Sequence, residues 1–459
     1  MDRRYFLIGS AATLGTLGAA RVSPAFSPNE TVRVAVVGLR SRGRAHLGGY
    51  PKLANVQVAA IVDVDDTVLA DTAKWMASKG MPEAKQYKDL RKVLEDKSID
   101  VVSIATPNHQ HTIQTVWSVQ AGKDVYVEKP CSHNMFEAKQ VVNAARRYNR
   151  IVQQGSQARS SVALQEAVKR MRDGELGEIY MARGLCFKWR DTINHMPDEP
   201  VPAGVDYNLW LGPAPERPFS KNRFHYNWHW NWDYGNGDLG NQGIHEVDIA
   251  RWGLGVKYPT KISAIGGHFM FDDDQNTPNT LNVAYEFEEP GKKKQMMVFE
   301  VRHWISNNEA NISDFDGPAA GLSTGPRKTG RNTIGNIFYG SKGYLAIDGY
   351  AKYATWMGPG AEPGPSGNAG GDHFENFINA VRSRKRETLN AEIEEGAIST
   401  TLVHLANISY RLGRTIKFDA ASYSCPGDAE ATAMFTRNYR DPFVVPTINV
   451  TATESASRG

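Results

Sequence analysis

The sequence predicts an α/β protein in two parts. An N-terminal, doubly wound parallel sheet is followed by a C-terminal α/β domain built on an open, mainly antiparallel sheet. Three observations carry this. β-branched runs alternate with amphipathic stretches from Thr31 to Gly155, the signature of repeated strand–helix units. The turns after these runs hold Gly38, Asp63, Thr106 and Glu128, so polar groups collect at the carboxyl ends of the predicted strands. Beyond residue 155 the runs alternate in polarity and are punctuated by Gly, Pro and Asp, as in half-buried antiparallel strands.

In the first part, TVRVAVVG (31–38), VQVAAIVDVD (56–65), IDVVSIATP (99–107), KDVYVEKP (123–130) and RIVQQGS (150–156) read as strands. The helices between them are a stretch ending near Leu53, DTVLADTAKWMASKG closed by Gly80, YKDLRKVLED, HTIQTVWSVQAG and MFEAKQVVNAARRY. A glycine just past a helix takes the left-handed closing position. In the second part GEIYMARGLCF, KISAIGGHFMF, TLNVAYEFE, KQMMVFEVRHW and YLAIDGY are strand candidates. GDHFENFINAVRS and EEGAISTTLVHLANISYRLG are helices. The glycine- and proline-rich stretch 358–371 reads as a flexible loop. The resulting division is 1–30 signal and linker, 31–155 first domain, 156–446 second domain, and 447–459 a mobile tail.

At the start, Arg3 and Arg4 precede Phe6, Leu7 and a short run rich in alanine and glycine. This predicts an export signal of the twin-arginine type, the route for proteins already folded. The run from Ile8 to Ala20 is too short to span a bilayer, so no membrane attachment is expected once the signal is removed. A formal net charge of +3 is too small and too evenly spread to imply a nucleic-acid partner. The three cysteines form no CxxC pair, and the histidines lack ligand spacing, so no metal is expected.

Ligands of a doubly wound sheet sit beyond the carboxyl ends of its strands. Gly38 and Gly43 bracket the first turn, with Arg40, Ser41 and Arg42 between them. A dinucleotide fingerprint needs glycines there so that pyrophosphate meets a helix N-terminus. Asp63 lies about twenty residues on, where an acid holds the adenosine ribose, so NAD is favoured over NADP. Arg40 replaces the middle glycine. Its guanidinium is expected to bind phosphate, with the 2′-phosphate of NADP as the alternative. These turns predict a Rossmann domain.

EKP (128–130), preceded by TPNHQHTIQTVWSVQAGKDVYV, and GNGDLGNQGIHEVDIARWGLG (235–255) resemble the Gfo/Idh/MocA oxidoreductase family. The resemblance implies NAD-dependent oxidation or reduction of a sugar hydroxyl, with Lys129 and His245 as the catalytic pair. Asn241 stands where the family often has aspartate. It implies cofactor contacts from Gly38, Arg40, Ser41, Arg42, Gly43, Asp63, Thr106, Asn108, His109, Glu128 and Lys129. It also implies a homo-oligomer paired through an exposed sheet face. Asp238 and Asp248 are candidate charge partners of the site, and Arg159 a candidate substrate contact. The aromatic segment 222–238, with Trp228 and Trp230, suits carbohydrate: flat rings pack on CH faces while polar neighbours bind hydroxyls.

Outside the cytoplasm free NAD is scarce, so an exported enzyme of this kind has to carry its cofactor. Three chemistries restore a captive cofactor. These are oxidation of a glycoside hydroxyl (at C3) with a second acceptor, a redox-cycling glycoside hydrolase or lyase reaction, and epimerisation. The non-enzyme alternative is a catalytically inactive sugar-binding relic.

Overall fold

The computed structural model describes residues 30–450 except 305, 308, 311 and 313–331. The twin-arginine segment with Arg3 and Arg4 and the residues after 450 lie outside the described residues. The first sheet contains β1 (Val32–Val37), β2 (Val56–Val62), β3 (Lys85–Tyr87), β4 (Val101–Ile104), β5 (Asp124–Val127) and β6 (Val152–Gln154). Their order is β3-β2-β1-β4-β5-β6, parallel throughout. The order reverses between β1 and β4, which opens a crevice at their carboxyl ends. The connecting helices are α1 (Ser41–Gly49), α2 (Asp66–Ser78), α3 (Leu90–Leu94), α4 (Asn108–Gln120) and α5 (Met135–Arg147). Side chains start three of them: Asp65, Asp89 and Asn134 each accept an N–H from the first turn of α2, α3 and α5, as N-caps should. One boundary differs from expectation. Tyr87 ends an edge strand rather than opening a helix, because the Asp89 cap sets the start of α3 at Leu90.

The second sheet is β14-β13-β12-β11-β7-β10-β9-β8-β15. Its strands are β7 (Ile179–Phe187), β8 (Lys261–Gly267), β9 (Thr280–Phe287), β10 (Gln295–Arg302), β11 (Thr333–Gly340), β12 (Gly343–Asp348), β13 (Lys352–Met357), β14 (Glu362–Asn368) and β15 (Ile416–Lys417). Only β7 and β10 run parallel; the other pairings are antiparallel. β14 overturns the flexible loop expected over 358–371. Its Pro363, Pro365 and glycines suppress the usual strand signal, yet it pairs with β13 alone, the edge position where proline is tolerated. The helices here are α6 (Val162–Arg172), α7 (Tyr207–Leu211), α8 (Gly237–Asn241), α9 (Gly243–Leu254), α10 (His373–Ser383), α11 (Ile393–Leu412) and α12 (Ala429–Ala433). α9 and α11 pack on the inner face of the sheet around Phe299, Leu281 and Tyr285.

Parts of the chain from α10 onward return to the first sheet. Phe377, Ile378, Ala380 and Val381 of α10 join the core beneath Val32, Val34 and Val36. Ile393 and Ala397 of α11 and Ile448 join the opposite face with Ala35 and Val37. A parallel sheet needs cover on both faces, and here the C-terminal helices supply part of it. The tail expected to be mobile from residue 447 therefore begins anchored: the Ile448 N–H donates to Gln140 Oε1 (2.6 Å) and its carbonyl accepts from Asn143 Nδ2 (2.8 Å). Among the described residues no helix is long and apolar enough to cross a membrane.

Candidate active site

A cleft of about 540 Å³ opens at the carboxyl ends of β1, β2, β4 and β5 and is roofed by residues 224–229 and the α8–α9 junction. Its floor is the glycine turn. Gly38 has φ +80°, and a Cβ there would lie 2.7 Å from the Ala105 carbonyl oxygen. A Cβ on Gly43 would lie 1.8 Å from the Gly38 carbonyl oxygen. Gly43 thus stays outside the cleft wall and serves the close approach of α1 to β1. Arg40 is the N-cap of α1 and makes no side-chain capping bond, so the helix presents uncapped N–H groups beside Arg40, Ser41 and Arg42 on the wall.

Asp63 ends β2. Its Oδ2 accepts the Leu39 N–H (2.9 Å) and its Oδ1 the Asp65 N–H (3.2 Å), while burial pushes its carboxyl up to about 6. Arg40 reaches across to Asp65 at 3.4 Å. The uncapped helix end, the glycine turn, two cations and two acids fit a dinucleotide with its pyrophosphate on α1 and a ribose at Asp63.

Glu128 carries the wall into the second half. Its Oε1 takes Arg42 Nε (2.7 Å), His46 Nε2 (3.1 Å) and Gln157 Nε2 (3.0 Å). Burial opposes its charge, but Arg42 and His46 outweigh this and hold the carboxyl well below the usual range. Its carboxylate is therefore engaged within the protein, and it braces the next residue. Lys129, half-buried, donates from Nζ to the Asn241 carbonyl oxygen at 2.6 Å. Burial lowers its ammonium to about 8 against the pull of Glu128. His245, in the first turn of α9, lines the same pocket with its ring 4.8 Å from Tyr350. Burial and then the Lys129 charge hold its imidazole well below its ordinary value, so it is neutral at physiological pH.

Asn241 meets Lys129 through its backbone, while its side chain turns away and donates to Asp238 Oδ1 at 3.2 Å. Asp238 is fully enclosed, accepting Arg190 on both oxygens (2.8 and 2.9 Å) and His303 Nε2 (2.8 Å). Thr106 and Asn108 lie on the wall, the latter donating to Asn236 Oδ1 at 3.0 Å. Trp228 lines the cleft with its ring 3.6 Å from that of His229.

Several expected contacts are elsewhere. Arg159 and Asp248 pair with each other at 2.7 and 2.8 Å, buried between α9 and α11, where Asp248 also accepts Ser399 Oγ at 2.6 Å. Neither lines the cleft, because each buried charge is satisfied by the other. Trp230 lies behind the wall under the Arg190 guanidinium at 4.7 Å, and Asp238 is locked by the same arginine. His109 faces away, with Nε2 at 2.9 Å from the Trp210 carbonyl oxygen. Residues that sequence reasoning missed include Lys188, Gln242, Tyr350 and Gln157, all on the wall. Each is an isolated polar residue next to a strand or helix end, with no spacing signal.

Comparison with known proteins agrees with this layout. Two models of the Gfo/Idh/MocA family match: "Oxidoreductase family, NAD-binding Rossmann fold" over residues 32–156, and "Oxidoreductase family, C-terminal alpha/beta domain" over 177–268 and 368–445. The chain is 28% identical over 170 residues to a glycosyl hydrolase family 109 protein of Shewanella pealeana, covering 32% of this chain and 37% of that protein. It is 30% identical over 235 residues to inositol 2-dehydrogenase of Salmonella typhimurium, covering 50% and 56%. It spans about a third to just over half of the length of these curated relatives. The aldose-aldose oxidoreductase of Caulobacter crescentus, solved with glycerol, superposes with a TM-score of 0.61 over 85% of this chain and 100% of that one, at 19% identity. At that identity the likeness is one of fold.

Proposed function

Because the chain belongs to the Gfo/Idh/MocA oxidoreductase family, with an NAD-binding Rossmann domain, we propose that it oxidises or reduces a hydroxyl or carbonyl of a sugar or glycoside, at C3, using a tightly held NAD. In this reading it is exported through its Arg3–Arg4 signal to the periplasm, where it works as a homo-oligomer. The observation that carries the reading is Lys129 Nζ, half-buried in the cleft beyond the glycine turn, 2.6 Å from the Asn241 carbonyl oxygen and on one wall with His245.

The α1 N-terminus, Gly38, Arg40, Arg42 and Asp63 would hold the cofactor, and Thr106 and Asn108 would contribute from the wall at the end of β4. NAD when bound supplies the acceptor for the hydrogen on the sugar carbon. The chain's own work is on the proton. Lys129, lowered to about 8, takes the hydroxyl proton at Nζ as the neutral amine and returns it as the ammonium. The neutral His245 ring hydrogen-bonds the neighbouring hydroxyl, and Trp228 supports the apolar face of the ring. Because the base form of Lys129 is required, the rate of oxidation is expected to rise with pH through about 8 and level off above it. A kcat/KM profile that falls across that range would remove Lys129 as the base.

Mass spectrometry of denatured protein never supplied with cofactor is expected to release NAD. Ketone formed from a glycoside panel supports the oxidoreductase. Aglycone released with no net redox change supports the second reading, a redox-cycling glycosidase, which the similarity to a glycosyl hydrolase family 109 protein favours. Neither product from any glycoside defeats both.

A further inference from the structure

Charge is unevenly divided along the cleft. The acids on its wall, Asp63, Asp65, Asp89 and Glu128, all come from the first domain. The wall contributed by residues after 155 contains no acid among the described residues, but it includes Lys188. Lys188 follows β7 and forms no salt bridge among the described residues; its Nζ donates to Gln242 Oε1 at 2.8 Å. The nearby carboxyls do not compensate it. Asp238 is neutralised by its pairing with Arg190 and His303. Glu246 is fully buried, and burial pushes its carboxyl up to about 8, so it is protonated at neutral pH.

Gln242 fixes the polarity of this corner. An ammonium only donates, so the amide oxygen must face Lys188. The amide nitrogen then donates to Tyr350 Oη (2.5 Å) and Glu246 Oε1 (3.1 Å), which uses all of its hydrogens. Tyr350 accepts from Gln242, so its own hydroxyl hydrogen is left to donate elsewhere, and both Tyr350 and Lys188 line the cleft. Two donors, one of them a full positive charge, are thus oriented by one saturated amide. That arrangement matches a carboxylate, whose two oxygens only accept.

We propose that Lys188 and Tyr350, oriented by Gln242, form a subsite for a carboxylate on the sugar, so that the enzyme acts on acidic sugars of the uronate type. This rests on the proposed function above, since it names the substrate class of the same site. A neutral sugar would leave the Lys188 ammonium with no carboxylate on its side of the cleft, whereas an anionic substrate supplies one.

The test is equilibrium binding by calorimetry to full-length protein loaded with NAD. The ligands are methyl glucoside and methyl glucuronide, the corresponding galacto pair, and methyl glucoside 6-sulfate. At least one uronate is expected to bind about tenfold or more tighter than its neutral partner. Lys188→Gln is expected to erase the preference, Lys188→Arg to restore part of it, and Tyr350→Phe to reduce it, with bound NAD and Tm unchanged. Equal affinities in both pairs, a uronate preference that survives Lys188→Gln, or tighter binding of the sulfate than of either uronate would overturn the subsite. The readout does not depend on turnover. A uronate that binds through Lys188 without reducing the cofactor would count against the oxidoreductase reading and leave the subsite standing.

Discussion

Lys129→Ala is expected to lower kcat about 10²–10⁴-fold, the range for losing a positioned proton acceptor, while leaving the dinucleotide content of the purified protein unchanged. The two effects separate because Lys129 Nζ bonds to the Asn241 carbonyl on the second domain, whereas the glycine turn and Asp63, the proposed holders of the cofactor, lie on the first. Single-turnover formation of reduced cofactor measures the chemical step, and mass spectrometry of the denatured protein measures the cofactor. Added small primary amines are expected to restore part of the rate, more at higher pH where more of the free amine is present. Wild-type turnover in Lys129→Ala would eliminate this lysine from the reaction.

Arg159→Ala is expected to destabilise the protein by about 3–5 kcal/mol, the usual cost of stranding one member of a buried ion pair. Asp248 would lose the partner that meets both its oxygens and stay enclosed with Ser399. Burial opposes its ionised form, but Arg159 outweighs this and holds the carboxyl below its ordinary value. The pair's contribution is therefore complete above the unfolded carboxyl pKa and is lost as pH falls through the lower folded value. The deficit of the variant should accordingly be large at neutral pH and shrink in acid. Urea unfolding at both conditions checks this. Arg159→Met combined with Asp248→Leu is expected to recover most of the loss, which a direct role in binding substrate would not allow.

The parallel sheet was legible because strands covered on both faces must be apolar along their whole length, and β1, β2, β4 and β5 are β-branched runs ending in functional turns. The second sheet was harder to read. β11, central and buried at Ile337 and Phe338, lacks clean alternation, and β14 hides behind its prolines at an edge. In the site, Lys129, the Asn241 carbonyl and His245 line one cleft, because a strand end and the α8–α9 junction fix them on the backbone. Residue type alone does not say which partner a side chain takes. Arg159 and Asp248, 89 residues apart, satisfy one another instead of facing the cleft. The Asn241 amide serves Asp238. Lys188 and Tyr350 gain meaning only through Gln242, whose contact with Tyr350 spans 108 residues.

The return of α10, α11 and Ile448 to the first sheet sets the order in which this chain can mature on a ribosome. Synthesis delivers the strands of the first sheet before α10, α11 and Ile448, so both of their greasy faces stay partly uncovered until those segments have emerged. A chain cut before α10 is therefore expected to leave the first sheet short of cover on both sides.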